Sequence, residues 1–186
     1  MALTSSKDVK IGTKAPEFSL LDTKSKQRIQ LSGIFSEKAT VIMFICNHCP
    51  FVKHIIKEVV TLAKDYQPLG VNFVAISSND VEQQPEDHPF KMEVFAEEHG
   101  FTFPYLYDET QEVARAYDAA CTPDFFIYDG NLKLAYHGQL DNSRPDNGVP
   151  VTGKHMRQAL YDVIAKKPVS IEQKPSTGCN IKWKKA

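Results

Sequence analysis

Thr40-Val41-Ile42-Met43-Phe44-Ile45-Cys46-Asn47-His48-Cys49-Pro50-Phe51-Val52-Lys53-His54-Ile55-Ile56 is the stretch that decides the fold. Thr40 to Ile45 is a short, β-branched apolar run, the composition of a strand buried on both faces, as in parallel sheets. From Phe51 the period changes. Phe51, Val52, Ile55, Ile56, Val59, Val60, Leu62 and Ala63 recur at helical spacing, with Lys53, Lys57, Glu58, Lys64 and Asp65 between them. A buried strand therefore ends, a tight loop follows, and a helix begins at Cys49 or Pro50. Proline suits the first helical turn, where its missing N–H is not needed. Cys49 then falls at the N-cap, where unpaired N–H groups and the positive end of the helix dipole favour a thiolate. A buried, inert cysteine is the alternative, but the strand-loop-helix junction favours a reactive one.

The rest of the composition narrows the class. A chain of 186 residues suffices for one domain with a sizeable core, and 42% hydrophobic with 24% charged residues is ordinary for a globular protein. The net charge of -1 argues for neither nucleic acid nor an anionic membrane surface. Met1 to Asp8 lacks the apolar core of a signal peptide, and the longest apolar runs are too short to span a membrane. A cytoplasmic protein is the expectation. Cys46, Cys49, Cys121 and Cys179 are too few for a disulfide scaffold, so they are expected to be free, metal-bound or redox-active.

Working outward, Ala15 to Leu21 and Arg28 to Leu31 read as two short strands around a turn at Asp22 to Lys26. Val71 to Ile76 reads as a second buried strand, Ser77 to Pro89 as a polar loop, and Phe90 to His99 as a helix ended by Gly100. Thr110 to Tyr117 looks helical. Phe125 to Tyr128 and Leu132 to His137 form a hairpin around Asp129-Gly130-Asn131. A long polar loop, Asp141 to Gly153, precedes a last helix capped by Thr152 and running to about Lys166. The expected domain is 1–166. A lysine-rich tail, 167–186, carries Cys179 and is expected to pack on it through Ile181 and Trp183. Helices between buried strands imply an α/β fold with a central mixed sheet covered on both faces, extended by an N-terminal hairpin.

The chain resembles the thioredoxin-like superfamily, and within it the peroxiredoxin-like members of the alkyl hydroperoxide reductase/thiol-specific antioxidant group. Phe44-Ile45-Cys46-Asn47-His48-Cys49-Pro50, Thr122-Pro123-Asp124-Phe125-Phe126 and the hairpin and helix that follow carry the resemblance, which spans about Val9 to Ala165. It implies that Pro123 is the cis-proline beside the reactive cysteine and that Thr122 offers backbone groups to a partner peptide. The chain also departs from the parent patterns. Val52 stands where a thioredoxin has its second cysteine, His48 where it has tryptophan, and Met43 where it has a buried acid. Cys46 and Ile42 stand where a peroxiredoxin has threonine and proline, and Pro123 falls near the position of its peroxide-polarising arginine.

The expected chemistry is thiol-dependent oxidoreduction. Cys49 thiolate attacks a disulfide or a peroxide, a second thiol condenses with the product, and an external dithiol such as thioredoxin resets the pair. The second thiol is Cys46, whose Cys-x-x-Cys spacing closes a small loop, or Cys179 in the tail. The other role open to Cys179 is anchoring the tail beside Trp183. Cys121 is expected to pack at a strand entrance. His48 either supports the thiolate or is a loop histidine, and Arg144 either contacts an anion or belongs to a solvated loop. Substrates are a protein or small-molecule disulfide, or a peroxide. No organic cofactor, nucleic acid or membrane partner is implied. Two alternatives stand: a soft-metal site for copper or zinc built from Cys46, His48 and Cys49 with Cys121, His137 or Cys179, and a non-enzymatic binding scaffold.

Overall fold

The computed structural model describes residues 3–185. Its centre is β4 (Ala39–Phe44), in which every residue is buried. Alternation along this strand divides the core in two. Val41 and Met43 point to a cluster with Val52, Ile56 and Val59 of α2 (Pro50–Tyr66) and with Met156 and Leu160 of α5 (Lys154–Ile164). Ile42 and Phe44 point to the opposite cluster, with Leu31 of α1 (Leu31–Ile34) and Val113 of α4 (Glu112–Ala116). A strand buried on both faces has no room for a polar alternation, hence its unbroken apolar sequence.

β4 pairs in parallel with β5 (Val71–Ser77) and antiparallel with β8 (Asp124–Asp129). Adding β2 (Ser19–Asp22), β3 (Arg28–Gln30), β6 (Tyr105–Tyr107) and β9 (Leu134–Gly138) completes a mixed seven-stranded sheet of order β3-β2-β6-β5-β4-β8-β9. α3 (Pro89–Glu98) lies against the α2 side through Met92, Phe95 and Ala96. The fold is α/β with helices on both faces, and the N-terminal hairpin β2–β3 forms one edge of the sheet.

A second, three-stranded sheet carries the site. β10 (Thr177–Asn180) runs between β1 (Leu3–Ser5) and β7 (Cys121–Thr122), antiparallel to both. The tail beyond it is tied down on the α4 side. Asp80 N–H donates to Lys182 O over 2.9 Å, Lys184 N–H donates to Gln111 Oε1 over 2.8 Å, and the Arg115 guanidinium lies 4.4 Å over the Trp183 ring.

One helix start differs from the sequence expectation. Thr152 does not cap α5; the cap position is Gly153, at φ 65°. Asp141 reaches across the loop instead, and its Oδ2 accepts the N–H groups of Thr152 and Gly153, each over 2.7 Å. A carboxylate fixed by the loop satisfies orphan donors that a local hydroxyl was expected to take.

Candidate active site

Cys49 is the N-cap of α2, with extended backbone angles (φ -68°, ψ 122°) and Pro50 at the first helical position. The end of β4 and the packed stripe of α2 fix this junction from both sides, so the sulfur is held by the core. Its side chain is completely buried. Two groups close over it: Cys179 Sγ at 2.7 Å and the Thr122 carbonyl oxygen at 3.3 Å. Cys46 Sγ sits 3.3 Å from Thr122 Oγ1. Thr122 precedes a cis peptide bond to Pro123, and the strand after α4 sets its carbonyl against Cys49 and its hydroxyl against Cys46.

All four cysteines are thiols here, and their surroundings push them apart. Hydrogen bonding from Cys46 does most to bring the Cys49 thiol down, to about 5, against the opposing effect of burial; Cys179 and the N–H groups of Val52 and Cys179 add to the fall. The Thr122 carbonyl favours the protonated sulfur, and these donors together outweigh it. Burial, then the hydrogen bond to Cys49, push Cys46 well up. The same two effects push Cys179 up to about 12. Their surroundings thus make Cys49 the most acidic of these thiols and Cys46 and Cys179 weaker acids. Cys121 is pushed up by burial, and its Sγ lies 3.9 Å from the Pro123 carbonyl oxygen, in packing contact.

His48 is held by a residue that the sequence pattern did not single out. Asp87, fully buried, accepts the backbone N–H groups of Asn47 (2.8 Å) and His48 (3.2 Å) on Oδ1. Its Oδ2 accepts from Asn79 Nδ2 (2.8 Å) and meets His48 Nδ1 at 2.5 Å. Burial pushes the Asp87 carboxyl up, but the His48 and Asn79 hydrogen bonds prevail and hold it below its usual range. With Nδ1 engaged, His48 Nε2 is left buried and without a hydrogen-bond partner among the described residues. Asn47 is pinned by Tyr105 Oη–H, which donates to Asn47 Oδ1 over 3.0 Å. Asp87 thus orders the whole Asn47-His48 loop that presents Cys49.

The remaining sequence candidates fall around this centre. Arg144 lines a cavity of about 20 Å³ beside Phe51, Pro123, Ser176 and Thr177. Its guanidinium donates to the carbonyls of Asp141 (2.9 Å) and Ser143 (2.7 Å) and to Gln139 Oε1. His137 Nε2 lies within hydrogen-bond distance of both oxygens of buried Asp124, at 3.0 and 3.1 Å, and its ring stacks on Phe126. Burial raises the Asp124 carboxyl, and His137 opposes that. Cys46, His48 and Asp87 bring ligand atoms within 4.8 Å of one another. Of the residues the metal alternative drew on, Cys46 and His48 belong to that group, while Cys49, Cys121, His137 and Cys179 do not, and both Asp87 oxygens already serve the loop.

A cysteine of lowered pKa at a helix start, a cis-proline strand against it and a thioredoxin-like α/β frame are the features of a thiol-dependent oxidoreductase. Residues 11–137 match the AhpC/TSA family, and the chain belongs to that family. A conserved protein of Geobacillus kaustophilus, described as uncharacterized, is 57% identical and superposes with a TM-score of 0.98, covering 100% of this chain and 98% of that one. The thiol-disulfide oxidoreductase ResA of Geobacillus thermodenitrificans is 27% identical over 126 residues, 68% of this chain and 67% of the relative. A thioredoxin-family thiol:disulfide interchange protein of Chlorobium tepidum shares the fold, with a TM-score of 0.64 at 18% identity over 85% of this chain and 99% of that one. No helix among the described residues is long and apolar enough to cross a membrane.

Proposed function

We propose that this protein reduces disulfides with Cys49 as the nucleophile and Cys179 as the resolving thiol. The observation that carries this reading is the 2.7 Å separation of their sulfurs at the N-terminus of α2. A disulfide bond is about 2.0 Å long, so closure needs a movement of less than about 1 Å from a strand already in register.

Electrons and atoms balance in two exchanges. Cys49 thiolate attacks one sulfur of the substrate disulfide, and the other substrate sulfur leaves as a thiolate. Cys179 then attacks Cys49 Sγ, its proton passes to the departing substrate sulfur, and a Cys49–Cys179 disulfide remains. The substrate has gained two electrons, and an external dithiol of the thioredoxin kind returns them to the pair. A small peroxide fits the same sulfurs as a slower substrate: Cys49 becomes a sulfenic acid, and Cys179 displaces water. Thr122 lies against both sulfurs, with its carbonyl at Cys49 and its hydroxyl at Cys46. Cys46 acts on the thiolate of Cys49, and Asp87 and His48 position the loop. The need for a dithiol reductant fits a cytoplasmic setting.

Single turnover against a model disulfide tests the assignment. Cys49→Ser abolishes release of substrate thiol. Cys179→Ser releases one thiol and stops at a mixed disulfide on Cys49, seen as added mass. A Cys49→Ser protein that still turns over would overturn the proposal, as would a Cys179→Ser protein that completes the reaction at the parent rate.

A further inference from the structure

Cys179 reaches Cys49 from a short strand. β10 is four residues long and pairs with β1 on one side and β7 on the other, which sets Cys179 opposite Leu3 and Thr122. Gly178 lets it lie close to β7, since a Cβ there would fall 1.9 Å from the Thr122 carbonyl oxygen. A slip of one residue would turn Cys179 to the other face of the sheet, so the chain just beyond the strand matters to its register.

That chain is gripped by two side-chain amides. Asn79 Oδ1 accepts the Lys182 N–H over 2.9 Å. Gln111 Nε2 donates to Lys182 O over 2.8 Å and to Ser78 O over 2.7 Å, and its Oε1 accepts the Lys184 N–H over 2.8 Å. Asn79 and Gln111 are both buried, and each of these tail contacts is to main chain. Gln111 makes its contacts from a left-handed backbone, at φ 65°, a region uncommon for residues other than glycine. Asn79 also has a partner on the other side. Its Nδ2 donates to Asp87 Oδ2 over 2.8 Å, and the Oδ1 of that carboxylate accepts the Asn47 and His48 N–H groups. One amide orientation suits both neighbours, because an ionised carboxylate accepts and a backbone N–H donates. A single side chain therefore joins the loop that carries Cys49 to the tail that carries Cys179.

We propose that Asn79 and Gln111 are positioning residues for the resolving step: their amides hold the Lys182–Lys184 backbone so that Cys179 stays against Cys49, and Asn79 ties that register to Asp87 and the His48 loop. This rests on the reading of Cys49 and Cys179 as the working pair and adds what sets the rate of its second exchange. In that exchange Cys179 Sγ bonds to Cys49 Sγ, the bond from Cys49 to the substrate sulfur breaks, and the Cys179 proton leaves with that sulfur. The reaction is intramolecular, so its rate follows the effective concentration of Cys179 at Cys49. A tail released from the two amides lowers that concentration and leaves the mixed disulfide standing.

The test uses the full-length protein and about one equivalent of the symmetric disulfide of thionitrobenzoate. Capture by Cys49 releases the first thionitrobenzoate, and attack by Cys179 releases the second. The readout is the ratio of the second rate constant to the first, which a general loss of stability does not move selectively. Gln111→Gly removes the amide and suits the left-handed backbone; in it, and in Asn79→Ala, the ratio is expected to fall about tenfold. Asn79→Asp sets two carboxylates together and is expected to lower the ratio further. Adding Asp87→Asn to Asn79→Asp exchanges acid and amide and keeps an acceptor for the Lys182 N–H. The pair is expected to bring the ratio back to within about threefold of the parent. An unchanged ratio in both Gln111→Gly and Asn79→Ala, or an exchanged pair no better than Asn79→Asp alone, overturns the proposal while the sulfur pair stands. If the parent releases a first thiol and no second, the Cys179 reading itself fails.

Discussion

Replacing Cys46 with alanine is expected to raise the titration midpoint of Cys49 without removing the nucleophile. Cys46 does more than any other group to hold Cys49 as a thiolate at about 5. A hydrogen bond to a charged group contributes about 1.5–3 kcal/mol. At about 1.4 kcal/mol per pKa unit, its loss moves the midpoint up by roughly one to two units. Cys46→Ser keeps a donor and is expected to move it less. The thiolate is read by its ultraviolet absorbance as pH is raised, with Cys49→Ser subtracted, so access to the buried sulfur does not enter. The linked stability has a definite sign. Cys49 is an acid whose folded pKa is depressed, so its contribution is fully present above the unfolded value, about 8.5, and is lost as pH falls toward about 5. That window narrows in Cys46→Ala. A midpoint that stays put in Cys46→Ala, or that sits near 8.5 (about that of a free cysteine) in the parent, would refute the reasoning.

Three other outcomes follow from the same contacts. Asp87→Asn keeps size but loses the charge that orders the Asn47-His48 loop; denaturant unfolding near neutral pH should show a loss of about 2–3 kcal/mol. Because the folded Asp87 pKa is depressed, its contribution is present above about pH 4 and is lost on acidification, so the variant's deficit should shrink in acid-range thermal scans. Asp141→Ala orphans the N–H groups of Ser143, Thr152 and Gly153, and a destabilisation of about 2 kcal/mol is expected by urea titration, with Cys49 titration unchanged. Phe126→Ala empties the ring cluster of Phe44, Tyr117 and Tyr128, and should cost about 3–5 kcal/mol, read as a lowered melting temperature.

The central frame was legible in the sequence because its signals are local. The all-apolar β4 and the helical stripe of α2 state their own periods, and Pro50 marks the junction that places Cys49 at a helix start. What escaped is set by long-range pairing. Thr177-Gly178-Cys179-Asn180 has no hydrophobic alternation, and pairing with β7 and β1 makes it a strand. Leu3–Ser5 is a strand solely because it borders β10. Asp87 lies in a polar loop among other acids, and nothing in its neighbours reveals that it is buried under Asn47 and His48. The one local hint was Gly178 directly before a tail cysteine. The Thr152 cap was a reasonable local inference that lost to a carboxylate eleven residues upstream.

The pairing of Cys49 with Cys179 is most directly tested by disulfide mapping. Reduced protein is freed of reductant, given about one equivalent of hydrogen peroxide or a model disulfide, alkylated at once and digested for mass spectrometry. A Cys49–Cys179 cross-link, with Cys46 and Cys121 alkylated, is the predicted result. A Cys46–Cys49 cross-link with Cys179 alkylated would contradict the account.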